Sequence, residues 1–398
     1  MKIAFIADGR SEHTRRWIPY FLHDHVVILL STYECQPIEG VDIVTLPGRF
    51  RLTNQLISEP DDAGKMAPII NRFFLWALRN PIANQLWGIL KLFDLFLQVK
   101  VTRATLKDFN PDILHAFRIQ TEGYLAAFSG KKNFLVSCWG SDFTYTARTN
   151  WLHSILTKIT MRRVNYFMAD CSRDLKLAEE FGLAKKAYRC ILPGNGGVDV
   201  GTFYPPPLLS KTPSIFYCRG LGPLTRVDTL FEGLSLLRRD CGISASLTVI
   251  SPRSTHHLFF ELARDFGIDS AEIVVLDFSE IGKFANLMRQ NTIFVSPMIS
   301  DGVPCSMREA MACGMIPVMS DLESIREYVV DSINGFLFDP DSPKSLSNAF
   351  KKALASVDES FRMENVRLIS NIGEYESCLA KVTDIYSGIA NNHEAQNR

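Results

Sequence analysis

The sequence predicts an α/β protein built from two doubly wound domains, each a parallel sheet with helices on both faces. Three observations carry this. Short β-branched apolar runs alternate with longer helical stretches along most of the chain, which is the signature of parallel strands joined by crossover helices. Those runs are continuously apolar, as strands covered on both faces are. At 398 residues the chain is also too long for one ordinary core, so two domains of normal size are expected.

The elements follow in order. Met1-Lys-Ile-Ala-Phe-Ile-Ala-Asp8 is a short apolar run ended by a charge and reads as a first strand, Ile3–Ala7, not a secretory signal. Further strands are expected at Val26–Leu30, Ile43–Leu46, Ile113–Ala116, Phe134–Ser137 and Tyr166–Ala169. A second series reads Ser214–Cys218, Ser246–Ile250, Ile273–Leu276, Ile293–Ser296 and Ile316–Met319. Helical patterns between them include Thr121–Phe128, Asp228–Arg238, His257–Phe266 and Cys305–Ala312. The segment Tyr204-Pro-Pro-Pro-Leu-Leu-Ser-Lys-Thr-Pro213 holds four prolines, which block helix and central strand. The expected division is therefore a first domain over 1–204, a linker over 205–213 and a second domain over 214–373. A C-terminal helix over 374–390, read from Ser377–Ile389, and a disordered polar tail over 391–398 complete it. Ligands of such folds bind where the carboxyl ends of the strands meet a cleft.

Composition narrows the class. With 46 % apolar and 22 % charged residues the chain reads as soluble and globular. A formal net charge of zero gives no sign of a nucleic-acid partner. It hides an asymmetry, because residues 1–205 hold 25 Lys and Arg against 19 Asp and Glu, and the remainder 18 against 24. A basic first half could face an anionic membrane or an anionic acceptor. The nine cysteines stand singly, without metal-ligand spacing, and fit a reducing cytoplasm. No apolar stretch reaches membrane-spanning length.

The most informative segment is Asp301-Gly-Val-Pro-Cys-Ser-Met-Arg-Glu309. It follows the apolar run Thr292-Ile-Phe-Val-Ser-Pro and leads into Ala-Met-Ala-Cys-Gly314, which reads as strand, Gly/Pro loop and helix. A helix starting near Cys305 would aim its first backbone N–H groups above the strand ends, a ready anion site. Glu309 would face the same region one turn later. A helix N-terminus for phosphate with carboxylates for hydroxyls suits a nucleotide sugar.

This segment resembles the Glu-x7-Glu signature of retaining family 4 glycosyltransferases of the GT-B fold. Asp301 stands where the family has its first glutamate, one methylene shorter. The flanks agree: Glu309-Ala-Met-Ala-Cys-Gly314, Pro317-Val318, Asn334-Gly335-Phe-Leu-Phe338 and Pro340. The resemblance implies two Rossmann-like domains facing a central cleft, with the donor held mainly by the second and the last helix crossing back onto the first. It implies a donor set of Gly302, Val303, Cys305, Ser306, Met307 and Glu309. Asp301 would hold hydroxyls of the transferred sugar and Glu309 the ribose. No metal or other cofactor is expected, so the helix start at Ser306 and a basic side chain would neutralise the diphosphate.

Arg219 is that basic side chain. It follows the first strand of the second domain, and its fork-shaped, permanently charged guanidinium suits a bidentate diphosphate contact. The family also has a Lys a few residues on. Aligning Asp228 puts Thr225 there, with Arg226 beside it as either a second donor contact or a solvated helix-start residue. In the first domain Gly9, in Asp8-Gly-Arg-Ser-Glu-His-Thr-Arg-Arg-Trp17, permits a tight turn and close approach of backbone to a ligand. Its loop is similar to the family's first loop; Arg10 is a lesser candidate there.

His115 reads as a strand-end residue in Asp112-Ile-Leu-His115-Ala-Phe-Arg118. Family members often read His-x-His here, but Phe117 holds the second place. Either His115, Arg118 or Glu122 shares that catalytic work, or no imidazole is needed. Trp139-Gly-Ser-Asp142 follows the next strand. Trp139 could stack on a sugar while Asp142 binds hydroxyls, or Trp139 could pack the core. Pro193-Gly-Asn-Gly-Gly-Val-Asp199 resembles the family's Pro-Asn-Gly-Val-Asp segment near the donor sugar, with Asp199 expected to cap the following turn. The aromatic, basic run over 71–100 reads either as an interfacial membrane surface or as two buried helices.

The expected activity is transfer of a sugar from a UDP- or GDP-sugar to a glycan or lipid-linked acceptor, with retention of configuration, in bacterial surface polysaccharide or glycolipid synthesis. The expected place is the cytoplasm, at the inner membrane face. Two other classes fit the same fold: a nucleotide-sugar epimerase and an inactive nucleotide-sugar-binding homologue.

Overall fold

Runs of three to six residues, mostly apolar, become the strands of two all-parallel sheets. A computed structural model describes residues 1–48, 81–207, 212, 214–277, 283–356 and 359–397, without the side chains of 81–93 and 392–397. The chain divides into two compact units: Met1–Asn195 with Val382–Arg398, and Gly196–Lys381. The break falls ahead of the proline-rich segment expected as linker; its residues 208–211 and 213 lie outside the described residues.

Unit 1 holds strands β1 (Lys2–Ala7), β2 (Val26–Ser31), β3 (Asp42–Thr45), β4 (Ile113–Phe117), β5 (Leu135–Ser137), β6 (Tyr166–Ala169) and β7 (Tyr188–Ile191), in the order β3-β2-β1-β4-β5-β6-β7. β1 pairs in parallel with β2 on one side, Ile3 opposite Val27, and with β4 on the other, Ile3 opposite Ile113. The chain thus builds outward from β1 in one direction and then, from β4, in the other. The loops after β1 and β4 flank the point where strand order reverses, the usual ligand position of an open α/β sheet.

Unit 2 repeats the plan. Its strands are β8 (Ser214–Tyr217), β9 (Ser246–Ile250), β10 (Ile273–Leu276), β11 (Ile293–Ser296), β12 (Ile316–Ser320) and β13 (Phe336–Phe338), in the order β10-β9-β8-β11-β12-β13. Every pairing is parallel. The reversal lies between β8 and β11.

The continuous hydrophobicity of these strands has its expected cause. Ile215, Phe216, Tyr217, Ile293, Phe294 and Val295 are all inaccessible to solvent, so both faces of the central strands are covered. Each such aliphatic or aromatic side chain contributes roughly 1.5–3 kcal/mol on burial.

The structure departs from the sequence reading at the margins. β7 and β13 were not expected as strands; both are sheet edges, β7 partly exposed and β13 three residues long. The helix expected from Thr121 begins at Tyr124, after an irregular turn over Ile119–Gly123 in which Thr121 has φ 65°. The last helix, Tyr375–Asn397, takes in residues 391–397 of the tail expected to be disordered. Its residues from Val382 onward belong to unit 1, where Tyr386 packs 5.2 Å from Phe21. Of the 71–100 run, 71–80 lies outside the described residues; one continuous helix covers Pro81–Phe109. Among the described residues no helix is long and apolar enough to cross a membrane.

Candidate functional site

In unit 2 the reversal point brings together what the sequence separates by eighty residues. Arg219 leaves the end of β8 and Asp301 stands in the loop after β11. Their side chains form an ion pair, Nη2 to Oδ2, at 24 % and 12 % exposure. Burial is the largest influence on Arg219 and opposes its charge, but the Asp301 carboxylate together with Cys218, Cys305 and Tyr217 raises the pKa. The Asp301 loop is held from two sides. Gly302 N donates to Asp301 Oδ1 at 2.9 Å, and Ser324 Oγ donates to the Asp301 carbonyl at 2.8 Å. Ser324 carries no motif and was not foreseen.

The loop then enters the helix Cys305–Ala312. Pro304 is its N-cap and supplies no side-chain cap to the first turn. Cys305 and Ser306 are partly exposed, whereas Gly302, Val303 and Met307 are buried. The Met307 side chain is fully enclosed, so any ligand contact from Met307 runs through its backbone. Glu309 is 6 % exposed one turn later. Cys218, beside Arg219, reports how tightly these groups cluster. Burial pushes its thiol up to about 11, Arg219 and the Ser306 hydroxyl oppose the rise, and Glu309 adds to it. Arg219, Ser306 and Glu309 thus act on one atom.

Arg226 points elsewhere. Its Nε donates to Asp341 Oδ1 at 2.8 Å on the surface, while its backbone N–H donates to the Pro297 carbonyl at 2.8 Å. Thr225 exchanges hydrogen bonds with Gly222 through Oγ1. These contacts shape the loop between Arg219 and the helix Val227–Cys241.

Unit 1 has an analogous cluster at its own reversal point. Asp8 takes both Arg10 Nε and Nη2, at 3.1 and 3.0 Å, and the Arg10 guanidinium lies 3.7 Å over the Tyr33 ring. Arg118 stands in the loop after β4 at φ 86°, an uncommon backbone state for a non-glycine residue. Its half-exposed guanidinium sits 3.7 Å from Asp142 and within the field of Glu122 and Asp8. Glu122 is buried and accepts from Thr32 Oγ1 at 3.0 Å. Burial pushes its carboxyl up to about 7 against the opposing pull of Arg118 and that hydrogen bond.

Four expectations in unit 1 are corrected. His115 is wholly enclosed, with Nδ1 2.6 Å from Tyr386 Oη and Nε2 2.6 Å from Ser137 Oγ. Burial alone pushes its pKa well below the ordinary range, so it is a neutral core imidazole tying the last helix to β4 and β5. His115 was expected at the end of its strand, but it is the middle residue of β4 and faces the interior. Gly9 is buried; the close approach it permits is to Ser31 Oγ and Cys35 Sγ, which an added Cβ would meet at 2.8 and 2.4 Å. Asp142, 1 % exposed, accepts the backbone N–H groups of Ile119 and Trp139 on Oδ2, at 3.0 and 3.2 Å, while its buried Oδ1 has no hydrogen bond among the described residues and lies 3.7 Å from Arg118 Nε. It therefore braces two loops and is closed to a sugar hydroxyl. Trp139 packs edge-on to His13 and against Phe117, with Gly194 against its indole edge. Arg118 and Trp139 are the partly exposed members of this set.

The glycine-rich segment before Asp199 ties into unit 2. Val198 N donates to the Gly373 carbonyl at 2.7 Å, and Tyr375 N to the Val198 carbonyl at 2.9 Å. Asp199 accepts from Gly201 N and Thr202 N and caps that turn. Among the described residues no cluster of His, Cys, Asp and Glu could hold a metal ion.

Comparison with known proteins bears on this arrangement. Residues 206–366 match the family model of glycosyl transferases group 1, and residues 62–171 match that of glycosyl transferase 4-like proteins. No curated protein matches the sequence. The fold is similar to sucrose-phosphate synthase from Thermosynechococcus elongatus, at TM-score 0.71 and 13 % identity over 98 % of this chain and 99 % of that one. It is similar to Anabaena HepE in complex with UDP, at TM-score 0.70 and 12 % identity over 98 % and 100 %. The lipopolysaccharide outer core galactosyltransferase WaaB in its apo form aligns at TM-score 0.66 and 15 % identity over 98 % and 100 %. The two parallel-sheet units have the GT-B fold, and the chain is similar to group 1 glycosyl transferases over its second unit and to glycosyl transferase 4-like proteins over part of its first.

Proposed function

We propose that this glycosyltransferase moves a sugar from a nucleotide-diphosphate sugar to an acceptor with retention of configuration, without a metal ion. The observation that carries the reading is the Arg219–Asp301 pair beside the uncapped start of the helix Cys305–Ala312. Positive charge and helix N–H groups meet the diphosphate, and a carboxylate stands where the attached sugar would lie. Glu309, one turn along, suits the ribose hydroxyls. Anabaena HepE, similar in fold, has been captured with UDP and with UDP-glucose; a UDP- or GDP-sugar is the corresponding donor here.

In the reaction the anomeric C–O bond to the diphosphate breaks and the acceptor oxygen bonds to the same face. The departing diphosphate oxygen takes the acceptor's proton, so no carboxylate nucleophile is required. Arg219 and the helix start balance the charge that develops on the diphosphate. Arg118, exposed in unit 1, is the acceptor-side contact. The acceptor is a lipid-linked glycan of a bacterial surface polysaccharide, met at the inner face of the membrane.

Labelled nucleotide sugars with lipid-linked and soluble glycans test this. Transfer is expected, with the product anomer matching the donor anomer by NMR. An inverted product overturns retention, and an epimerised donor overturns transfer.

A further inference from the structure

The helix Trp151–Arg163 in unit 1 belongs to neither reversal-point cluster. Its inner face is buried through Leu156, Thr157, Thr160 and Met161. Its outer face is unusual. Trp151 is 64 % exposed and Ile155, one turn on, 45 % exposed. Lys158 and Arg162 continue the same stripe at helical spacing, both exposed. Tyr145, 43 % exposed, lies just before the helix beside exposed Arg148.

Charge identifies what covers this face. From Phe143 to Ala169 the chain has four basic residues and no acidic one, so the stripe has no negative charge of its own. Arg148, Lys158 and Arg162 form no ion pair among the described residues. A second copy of this chain would bring the same positive charge and be repelled. Indole and phenol rings beside cationic side chains suit the headgroup layer of a bilayer, where the ring is half-buried and the charge meets lipid phosphate. We propose that the outer face of Trp151–Arg163 docks on an anionic membrane, with Trp151 and Ile155 entering the headgroup–acyl boundary and Arg148, Lys158 and Arg162 meeting the phosphates.

The membrane-bound acceptor proposed above gives this docking a purpose, but the docking does not depend on it. None of the residues assigned to the donor lies on this helix.

The test uses the full chain with vesicles of phosphatidylcholine, with and without phosphatidylglycerol. Wild-type protein should sediment with the anionic vesicles only, and added salt should release it. Trp151→Glu combined with Ile155→Glu should weaken that partition about tenfold or more, since both apolar side chains lose their burial and two negative charges are added. Lys158→Glu with Arg162→Glu should remove the dependence on phosphatidylglycerol. Both variants change exposed residues, and an unaltered melting temperature with and without UDP shows that fold and donor site are intact. Partition of the first variant equal to wild type overturns the proposal, as does equal sedimentation with neutral vesicles. Self-association without vesicles that the first variant abolishes overturns it in favour of a second copy. Loss of the UDP effect in wild type instead sinks the donor reading and leaves the vesicle result to be judged alone.

Discussion

Asp301 stands in a position where geometry matters more than charge. It pairs with Arg219, takes the N–H of Gly302, and has its own carbonyl pinned by Ser324. Asparagine there keeps the size and one oxygen but loses the charge and half of the acceptor set. Asp301→Asn should therefore cut turnover by at least about a hundredfold while nucleoside diphosphate affinity changes only a few-fold. Equal losses in both, measured by initial rates and by calorimetry, would put Asp301 on the nucleotide. Glu122 makes a prediction about stability. Its carboxyl titrates near 7 in the fold, against 4.5 ordinarily. Between those values the unfolded chain has already released the proton that the folded chain keeps. Stability from this group is present in full below pH 4.5 and is lost as pH rises through about 7. Asp174, pushed by burial up to about 6, acts in the same direction. Glu122→Gln should flatten the fall in urea-unfolding stability between pH 4.5 and 7 by up to about 3 kcal/mol; an unchanged slope would show that Glu122 is ionised in the folded protein.

At the scale of elements, the segment Gly196–Asp199 meets the start of the last helix, and one glycine makes that contact feasible. Gly197 has φ +103°, and a Cβ there would stand 2.7 Å from the Gly373 carbonyl oxygen. Gly197→Ala should cost about 2–3 kcal/mol, since strain and collision add. Gly242, which ends the helix Val227–Cys241 at φ +67°, has nothing within 4 Å of the same atom. Its alanine variant should cost only about 1 kcal/mol. Equal chemical-denaturation losses for the two would mean that the contact with Gly373 yields freely. Both central strands and their following loops were legible from sequence, because continuous burial leaves a continuous apolar run. β7 was not, because its residues Tyr188-Arg-Cys-Ile191 are partly exposed and broken by a charge, and β13 was not, because its apolar run is only three residues long.

Across the whole molecule, the residues assigned to the donor that remain at a reversal point all lie in unit 2. Binding there should raise the melting temperature of that unit by mass action. UDP or GDP, at concentrations a hundred times Kd, should stabilise wild-type protein by about 3 kcal/mol, equally with magnesium and with chelator. Arg219→Ala should lose most of this shift. Stabilisation that vanishes with chelator would overturn metal independence, and an unaltered shift in the Arg219 variant would remove that residue from the site.

The amino-acid sequence by itself determined the α/β class, the two doubly wound units and the strand-loop-helix around Asp301 and Glu309. It did so because periodic burial and local turns are written in neighbouring residues. It could not decide what each strand-end side chain meets. Asp142 and Trp139 follow β5 as Arg118 follows β4, and His115 stands inside β4, yet Tyr386 closes over His115, the Ile119 amide holds Asp142 and Gly194 packs on Trp139. Those partners lie from 23 to 271 residues away. Only the tertiary structure settles whether such a polar group is satisfied by the protein or left facing a ligand, because that depends on chain segments the local pattern never sees.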